Sequence, residues 1–396
     1  MNCKHILETW SDMSFLHLSD YLTQDSIKGN ASSFGFAEST FLEKFIMDFE
    51  LYFHISQKMD CFTRGGMCMP FHTSEDLRRL SIDIDIVTKL KNTEINSIME
   101  EIARLPLDLK INPIKPRNAY PIPNLLSYYV EYTSCFGKLD GIKVDFLCEA
   151  NVDLPHKMID PGFRVFNCNL DFPVSVLNHG GLIGDKITTM SLEKIGLPEH
   201  HFTDIPKQIY DIATLLKLTN PDILRESFEV FQRFTDFKVE IYKREPSYTS
   251  QEVMNSINSS LEGFLHFEPP FSITVEQNSR YNNFRNRYLS HEGEQYKKTE
   301  HITDILLVWL YSKYLSRYLN NPKDIDSLCT SYSNALANLM KVKEFEGDSL
   351  KIKRREFLGQ LPRNISFNKN IFNGSSLEHV YLIKEIFNEE KIQLEQ

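Results

Sequence analysis

The chain has 396 residues, of which 41% are hydrophobic and 25% charged, and its formal net charge is -10. That length suffices for two or three domains of roughly 100–200 residues each, and the apolar fraction excludes a disordered or low-complexity chain. The acidity excludes a surface coated throughout in positive charge for gripping nucleic acid, while leaving room for a local basic patch.

The first fifteen residues lack the charged stretch and apolar run of a signal peptide. The longest apolar run, residues 305–311, is far shorter than the roughly 20 residues that span a bilayer. Seven cysteines, with no CxxC pair, argue for reduced, mostly buried thiols and against a disulfide framework or a zinc knuckle. A cytoplasmic protein with no membrane association is expected.

In chain order, Gly29, Asn30, Ser32, Ser33 and Gly35 predict a loop. Leu42, Phe45, Ile46, Phe49, Tyr52 and Phe53 recur at three- and four-residue spacing and predict an amphipathic helix that fades at Ser56. A short segment, residues 61–64, leads into Gly65-Gly66. Residues 81–87 alternate Asp with Ile and predict a strand with its carboxylates on one face. A helix is expected over 92–105. Strands over 128–134 and 142–147, joined by a turn at 137–141, predict a hairpin. Gly180-Gly181 is expected to precede a helix through Lys186 and Met190, and 207–218 a further helix. From about Asp222 onward the pattern is helical, most clearly over 299–319. The predicted organisation is α+β: an N-terminal mixed-sheet lobe over 1–172 and a mainly helical lobe over 173–396.

The chemistry concentrates at Asp83-Ile84-Asp85. Two carboxylates one residue apart on a strand point the same way, roughly 6–7 Å apart along the backbone. Both can reach one divalent ion or a close pair. Hard oxygen ligands of this kind suit Mg²⁺ or Mn²⁺ rather than zinc. Gly65-Gly66 lets the backbone approach a ligand closely and aim N–H groups at phosphate oxygens. Asp145, on a strand expected beside Asp83 and Asp85, completes a three-carboxylate site able to hold two metal ions. Two basic-aromatic runs stand in the helical lobe. One comprises Arg280, Tyr281, Phe284, Arg285, Arg287 and Tyr288, the other Lys351, Lys353, Arg354 and Arg355. Both are candidates for gripping RNA.

A glycine-pair loop, a D-h-D strand (h an apolar residue) and a later h-D-h strand resemble the nucleotidyltransferase superfamily related to DNA polymerase β. Within it the chain resembles AbiEii/AbiGii-type abortive-infection toxins. The matching segments are Arg64-Gly65-Gly66-Met67, Ser81-Ile82-Asp83-Ile84-Asp85, Lys143-Val144-Asp145-Phe146, then 185–190 and 207–212. A look-alike of the D-h-D strand at Ser74-Glu75-Asp76-Leu77 is rejected, because Arg78 takes the second carboxylate position. The resemblance spans about residues 40–216. It implies Asp83, Asp85 and Asp145 as catalytic metal ligands. It implies Arg64, Gly65, Gly66, Ser81, Lys143, Lys186 and Asp211 as nucleotide-binding groups. Met67 stands where a Ser or Thr hydroxyl usually meets the triphosphate, so a main-chain contact or another hydroxyl must substitute. Arg64 replaces Lys, and Lys207-Gln208 replaces Arg-Asp.

The implied activity is a toxin's, in a phage-defence toxin–antitoxin system. A nucleoside monophosphate would pass from an NTP to an acceptor hydroxyl, on RNA such as tRNA, with pyrophosphate released. Mg²⁺ or Mn²⁺, an NTP and a cognate antitoxin are the implied cofactor, substrate and partner. The rival readings are a small-molecule nucleotidyltransferase of the aminoglycoside type and a non-catalytic nucleotide-binding module.

Overall fold

A computed structural model describes residues 22–73, 79–105, 108–114, 124–148, 153–165, 168–192, 194–242, 247–267, 271–289, 296–361 and 375–395. The look-alike at Ser74-Glu75-Asp76-Leu77 and Arg78 lie outside the described residues. The chain divides into two compact units. One comprises Met1–Leu182 with Asn286–Gln295, the other Ile183–Arg285 with Tyr296–Gln396. The expected division at 172 thus falls ten residues before the observed one, which lies inside the helix His179–Ile187. The return of 286–295 to the first unit has no signature in local composition.

In the first unit the main sheet, among the described residues, has seven strands. They are β1 (Cys61–Arg64), β2 (Asp83–Thr88), β3 (Lys110–Pro113), β4 (Leu125–Thr133), β5 (Leu139–Leu147), β6 (His156–Ile159) and β9 (Val174–Leu177). A separate two-stranded ribbon pairs β7 (Arg164–Val165) with β8 (Cys168–Asn169). The order across the main sheet is β3-β4-β5-β2-β1-β9-β6. It is mixed: β2 runs parallel to β5 and β1 parallel to β9, while β1–β2, β3–β4, β4–β5 and β6–β9 are antiparallel.

The predicted amphipathic helix is α2 (Ser39–Ser56), preceded by α1 (Gln24–Phe34). Its stripe of Leu42, Phe45, Ile46, Phe49, Tyr52 and Phe53 is fully buried. Tyr52 Oη donates to the Ser175 carbonyl at 2.6 Å, tying the helix to β9. Ile84 and Ile86 are buried on the side of β2 away from its carboxylates, as alternation requires.

Several local expectations are corrected. Residues 29–34 are helical, not a loop, because Thr23 and Ser26 form a reciprocal capping box and Asn30 ties back to the Ser26 carbonyl at 2.8 Å. Gly35, at φ +76°, closes that helix in the left-handed region. Gly180 and Gly181 lie inside their helix rather than before it, since Asn178 Oδ1 accepts from the Gly181 N–H at 2.9 Å and starts the helix at His179. In the hairpin, β5 begins at Leu139. The turn lies three residues earlier than expected, with Gly137 at φ +74° and the Ser134 N–H donating to the Lys138 carbonyl at 2.8 Å.

In the second unit, the apolar run 305–311 is the buried middle of the helix Lys298–Asn320. Among the described residues no helix is long and apolar enough to cross a membrane. Cys61, Cys68, Cys148 and Cys329 are buried free thiols, and Cys135 is half-buried.

Each unit holds a neutral histidine, half-buried His72 in the first and buried His301 in the second. Burial, with Lys157 and His179 nearby, pushes His72 down to about 3, and burial alone pushes His301 down to about 3. Both folded values lie below the ordinary value near 6.5. The unfolded chain therefore takes up protons that the folded chain refuses as pH falls from about 6.5 toward 3. Stability is full above that window and is lost within it, by about 2 kcal/mol per histidine at pH 5. Urea midpoints should fall between pH 7 and pH 5, and His301→Asn should flatten the fall. An unchanged slope in that variant would contradict the assignment.

Candidate active site

The site is built on one face of the sheet. Parallel pairing of β2 with β5 sets Asp83 opposite Lys143 and Asp85 opposite Asp145. Adjacent strands lie about 4.8 Å apart, so the side chains of Asp85 and Asp145 emerge side by side. Antiparallel pairing of β1 with β2 brings Arg64 opposite Asp85, and Arg64 Nη2 lies 3.5 Å from Asp85 Oδ1.

Gly65 and Gly66 follow directly and open a short 3₁₀ helix, Gly65–Phe71. Gly65 sits at φ +72°, and a Cβ there would lie 2.4 Å from Asp85 Oδ2. A Cβ on Gly66 would lie 2.3 Å from Ser81 Oγ and 2.8 Å from Arg79 Nη2. The glycine pair therefore holds backbone against the carboxylate strand at a distance no side chain permits. Met67 is buried, so this position presents no polar group, and the hydroxyl packed against the loop is that of Ser81.

Asp145 is held from two sides. Ser127 Oγ donates to Oδ1 at 2.6 Å and Lys143 Nζ to Oδ2 at 2.6 Å. Burial opposes the Lys143 charge, yet the Asp145, Asp85 and Asp83 carboxylates together hold its pKa above the ordinary lysine value. With both oxygens of Asp145 engaged, no three-carboxylate cluster closes among the described residues. The donor chemistry nonetheless fits a hard divalent cation. Asp85 and Asp145 stand opposite one another on adjacent strands, and Lys143 and Arg64 already supply the positive charge that this face draws.

Ser127, Arg79 and Asp48 escaped sequence reasoning. Ser127 lies one residue before the predicted strand, and the full extent of β4 puts it on the polar face. Arg79 is buried, and its Nη1 donates to the Leu80 carbonyl at 2.6 Å. The strand starts at Asp83 rather than Ser81 because residues 79–80 pair instead with 288–289. Asp48 is a buried carboxylate on α2 whose oxygens have no hydrogen-bond partner. Burial first, and then the Asp83 charge, raise its pKa well above the carboxylate range.

The remaining predicted residues lie in the second unit. Lys186 and Asp211 are both buried and form an ion pair at 2.7 Å, with Gln208 Oε1 accepting from Lys186 at 3.4 Å. The basic-aromatic run is not a stacking surface: Tyr281, Phe284 and Tyr288 are buried. Within the first unit Arg287 lies over the Phe41 ring, and within the second Arg285 lies over Tyr281. In the other run, Lys351 pairs with Asp348, Lys353 with Glu356, and Arg354 donates to the Ser375 carbonyl.

Comparison with protein families places the chain as a whole. The family model of the nucleotidyl transferase AbiEii toxin, type IV toxin–antitoxin system, matches residues 54–294, more than half of the chain. The chain belongs to the AbiEii family. That membership makes it a nucleotidyltransferase of the toxin type, and the matched span includes every predicted catalytic and nucleotide-binding residue. The chain is similar in structure to MenT4, a nucleotidyltransferase toxin from Mycobacterium tuberculosis H37Rv. Identity is 11% and the TM-score 0.37, over 78% of this chain and 99% of that one. It is also similar to an H. pylori protein assigned as a nucleotidyltransferase. There identity is 15% and the TM-score 0.30, over 61% of this chain and 96% of that one. Neither likeness carries a residue role to this chain. No curated protein matches it.

Proposed function

We propose that this AbiEii-family nucleotidyltransferase moves a nucleoside monophosphate from an NTP to a hydroxyl of RNA, with tRNA the favoured acceptor, and that a cognate antitoxin restrains it. The observation that carries the reading is the pairing of Asp85 with Asp145 beside Gly65. It sets carboxylates for acceptor and phosphate chemistry against a backbone that can lie close to a triphosphate.

Asp83, Asp85 and Asp145 would hold Mg²⁺ or Mn²⁺, in the two-metal manner, and such ions when bound supply positive charge at the phosphate oxygens. The chain's own residues do the rest. The backbone of Gly65 and Gly66 seats the phosphates, with Arg64 and Ser81 beside it. Ser127 fixes the orientation of Asp145. Lys143 leaves Asp145 for a phosphate oxygen, which frees the carboxylate to accept the proton of the acceptor hydroxyl. That oxygen bonds to the α-phosphorus, the bond to the bridging oxygen of the β-phosphate breaks, and pyrophosphate departs. Most of the rate enhancement is positioning and electrostatics. For Lys186 and Asp211, support for a nucleotide-binding role is the ion pair they form within the helical unit, since an ammonium held in place by a carboxylate can also meet a phosphate oxygen.

Induced expression in a bacterium tests the toxin reading. Growth should stop with the wild-type chain and continue with Asp83→Ala at equal protein level. Equal arrest by both would overturn it.

A further inference from the structure

Parallel pairing of β2 with β5 lays out four residues as the corners of one patch. Asp83 stands opposite Lys143, and two residues further along Asp85 stands opposite Asp145. Neighbouring corners are about 4.8 Å apart across the strands and about 6–7 Å apart along them. Three corners carry carboxylates and the fourth carries an ammonium. That ammonium reaches along its own strand to Asp145 Oδ2 at 2.6 Å, while Ser127 holds the other oxygen. Arg64 flanks the patch from β1, 3.5 Å from Asp85 Oδ1. Three carboxylates and two cations leave this cluster one net negative charge.

The two cations are not equally free to move. The Lys143 side chain is 48% exposed and that of Arg64 19%. A lysine carries a compact charge on a flexible four-carbon stem, so Lys143 can turn its head into solvent without opening a cavity. A divalent ion and this ammonium compete for Asp145 Oδ2. An ion at a coordination distance of about 2.0–2.6 Å from that oxygen would meet a like charge almost in contact. A triphosphate acts in the opposite sense. Its negative oxygens draw the ammonium off the carboxylate, and the three carboxylates are then left to a cation that the phosphates also bind.

We propose that Lys143 gates the site for divalent cations. It holds Asp145 Oδ2 until a triphosphate draws it off, so the carboxylates take Mg²⁺ or Mn²⁺ together with the nucleotide and not before it. This rests on the reading given above, that Asp83, Asp85 and Asp145 hold the ion. Such coupling is reciprocal: the factor by which nucleotide raises metal affinity is the factor by which metal raises nucleotide affinity.

The test reads metal binding without turnover. The probe is Mn²⁺ alone, titrated into full-length protein without nucleotide, with the free ion followed by its electron paramagnetic resonance signal. Lys143→Met should bind Mn²⁺ about tenfold tighter than wild type or better, within the usual range of coupling between two ligands. Lys143→Arg keeps the cation and should stay within about threefold of wild type. Substituting a merely structural lysine would weaken binding rather than strengthen it. The four α,β-methylene NTPs are then added to saturation, and the Mn²⁺ that they hold by themselves is subtracted from a protein-free titration. The gap between wild type and Lys143→Met should close to within about threefold. Equal Mn²⁺ affinity of wild type and Lys143→Met, weakened in both by Asp145→Asn, overturns the gate and leaves the metal reading standing. A gap that persists with nucleotide bound also overturns the gate. Mn²⁺ binding that Asp145→Asn leaves untouched in both backgrounds, or no binding by Lys143→Met at millimolar Mn²⁺, overturns the metal reading and the gate with it.

Discussion

Gly65→Ala should reduce nucleotide transfer at least a hundredfold while leaving the helical unit folded. Two causes act together. The backbone at φ +72° is one that alanine adopts at a cost of roughly 1 kcal/mol or more. The added carbon would also stand 2.4 Å from Asp85 Oδ2, so either the carboxylate or the loop must shift by about an ångström. A displacement of that size at reacting groups is enough for a hundredfold loss. Gly66→Ala should be milder, because the φ of Gly66 lies outside the left-handed region, so only the contacts with Ser81 Oγ and Arg79 Nη2 have to be relieved. Transfer rates and near-ultraviolet circular dichroism on both variants check this. A Gly65→Ala protein with wild-type turnover would show that the close approach to Asp85 has no catalytic meaning.

Lys186→Met should destabilise the chain by about 3–5 kcal/mol, because it leaves Asp211 charged, fully buried and without its ion-pair partner. Asp211→Leu strands the ammonium of Lys186 and should cost about as much. The double variant should recover most of the loss, since replacing both partners of a buried pair by apolar groups is often close to neutral. Urea midpoints at pH 7 measure all three. Transfer activity separates structure from function. A double variant that regains stability and turnover would confine the pair to a structural role. One that regains stability alone would support the nucleotide-binding role proposed for Lys186.

The sheet and its carboxylates were legible because their signals are local. Asp-Ile-Asp-Ile carries a period of two that only a strand with one buried face explains, and the pairing of Asp85 with Asp145 follows once two such strands are neighbours. Less local features escaped. Helix 24–34 is written in Gly, Ser and Asn, which read as a loop, although Thr23 and Ser26 form a cap that sequence could have flagged. The run from Arg280 to Tyr288 reads as arginines and aromatic rings interleaved to grip RNA, whereas Tyr281, Phe284 and Tyr288 at helical spacing are core. Ser127 and Arg79 become visible only through register. Their roles depend on which residues stand opposite them, and no window along the chain contains that information.

The most direct measurement uses purified wild-type protein and the Asp145→Asn variant. Each is incubated with the four α-³²P-labelled NTPs, Mg²⁺ and bacterial tRNA, and label in RNA is counted against pyrophosphate released. Wild type should place label on RNA with one pyrophosphate per nucleotide transferred, and Asp145→Asn should lose at least a thousandfold of that rate. Equal labelling by the two proteins, or label on RNA without matching pyrophosphate, would contradict a nucleotidyltransferase site centred on Asp145.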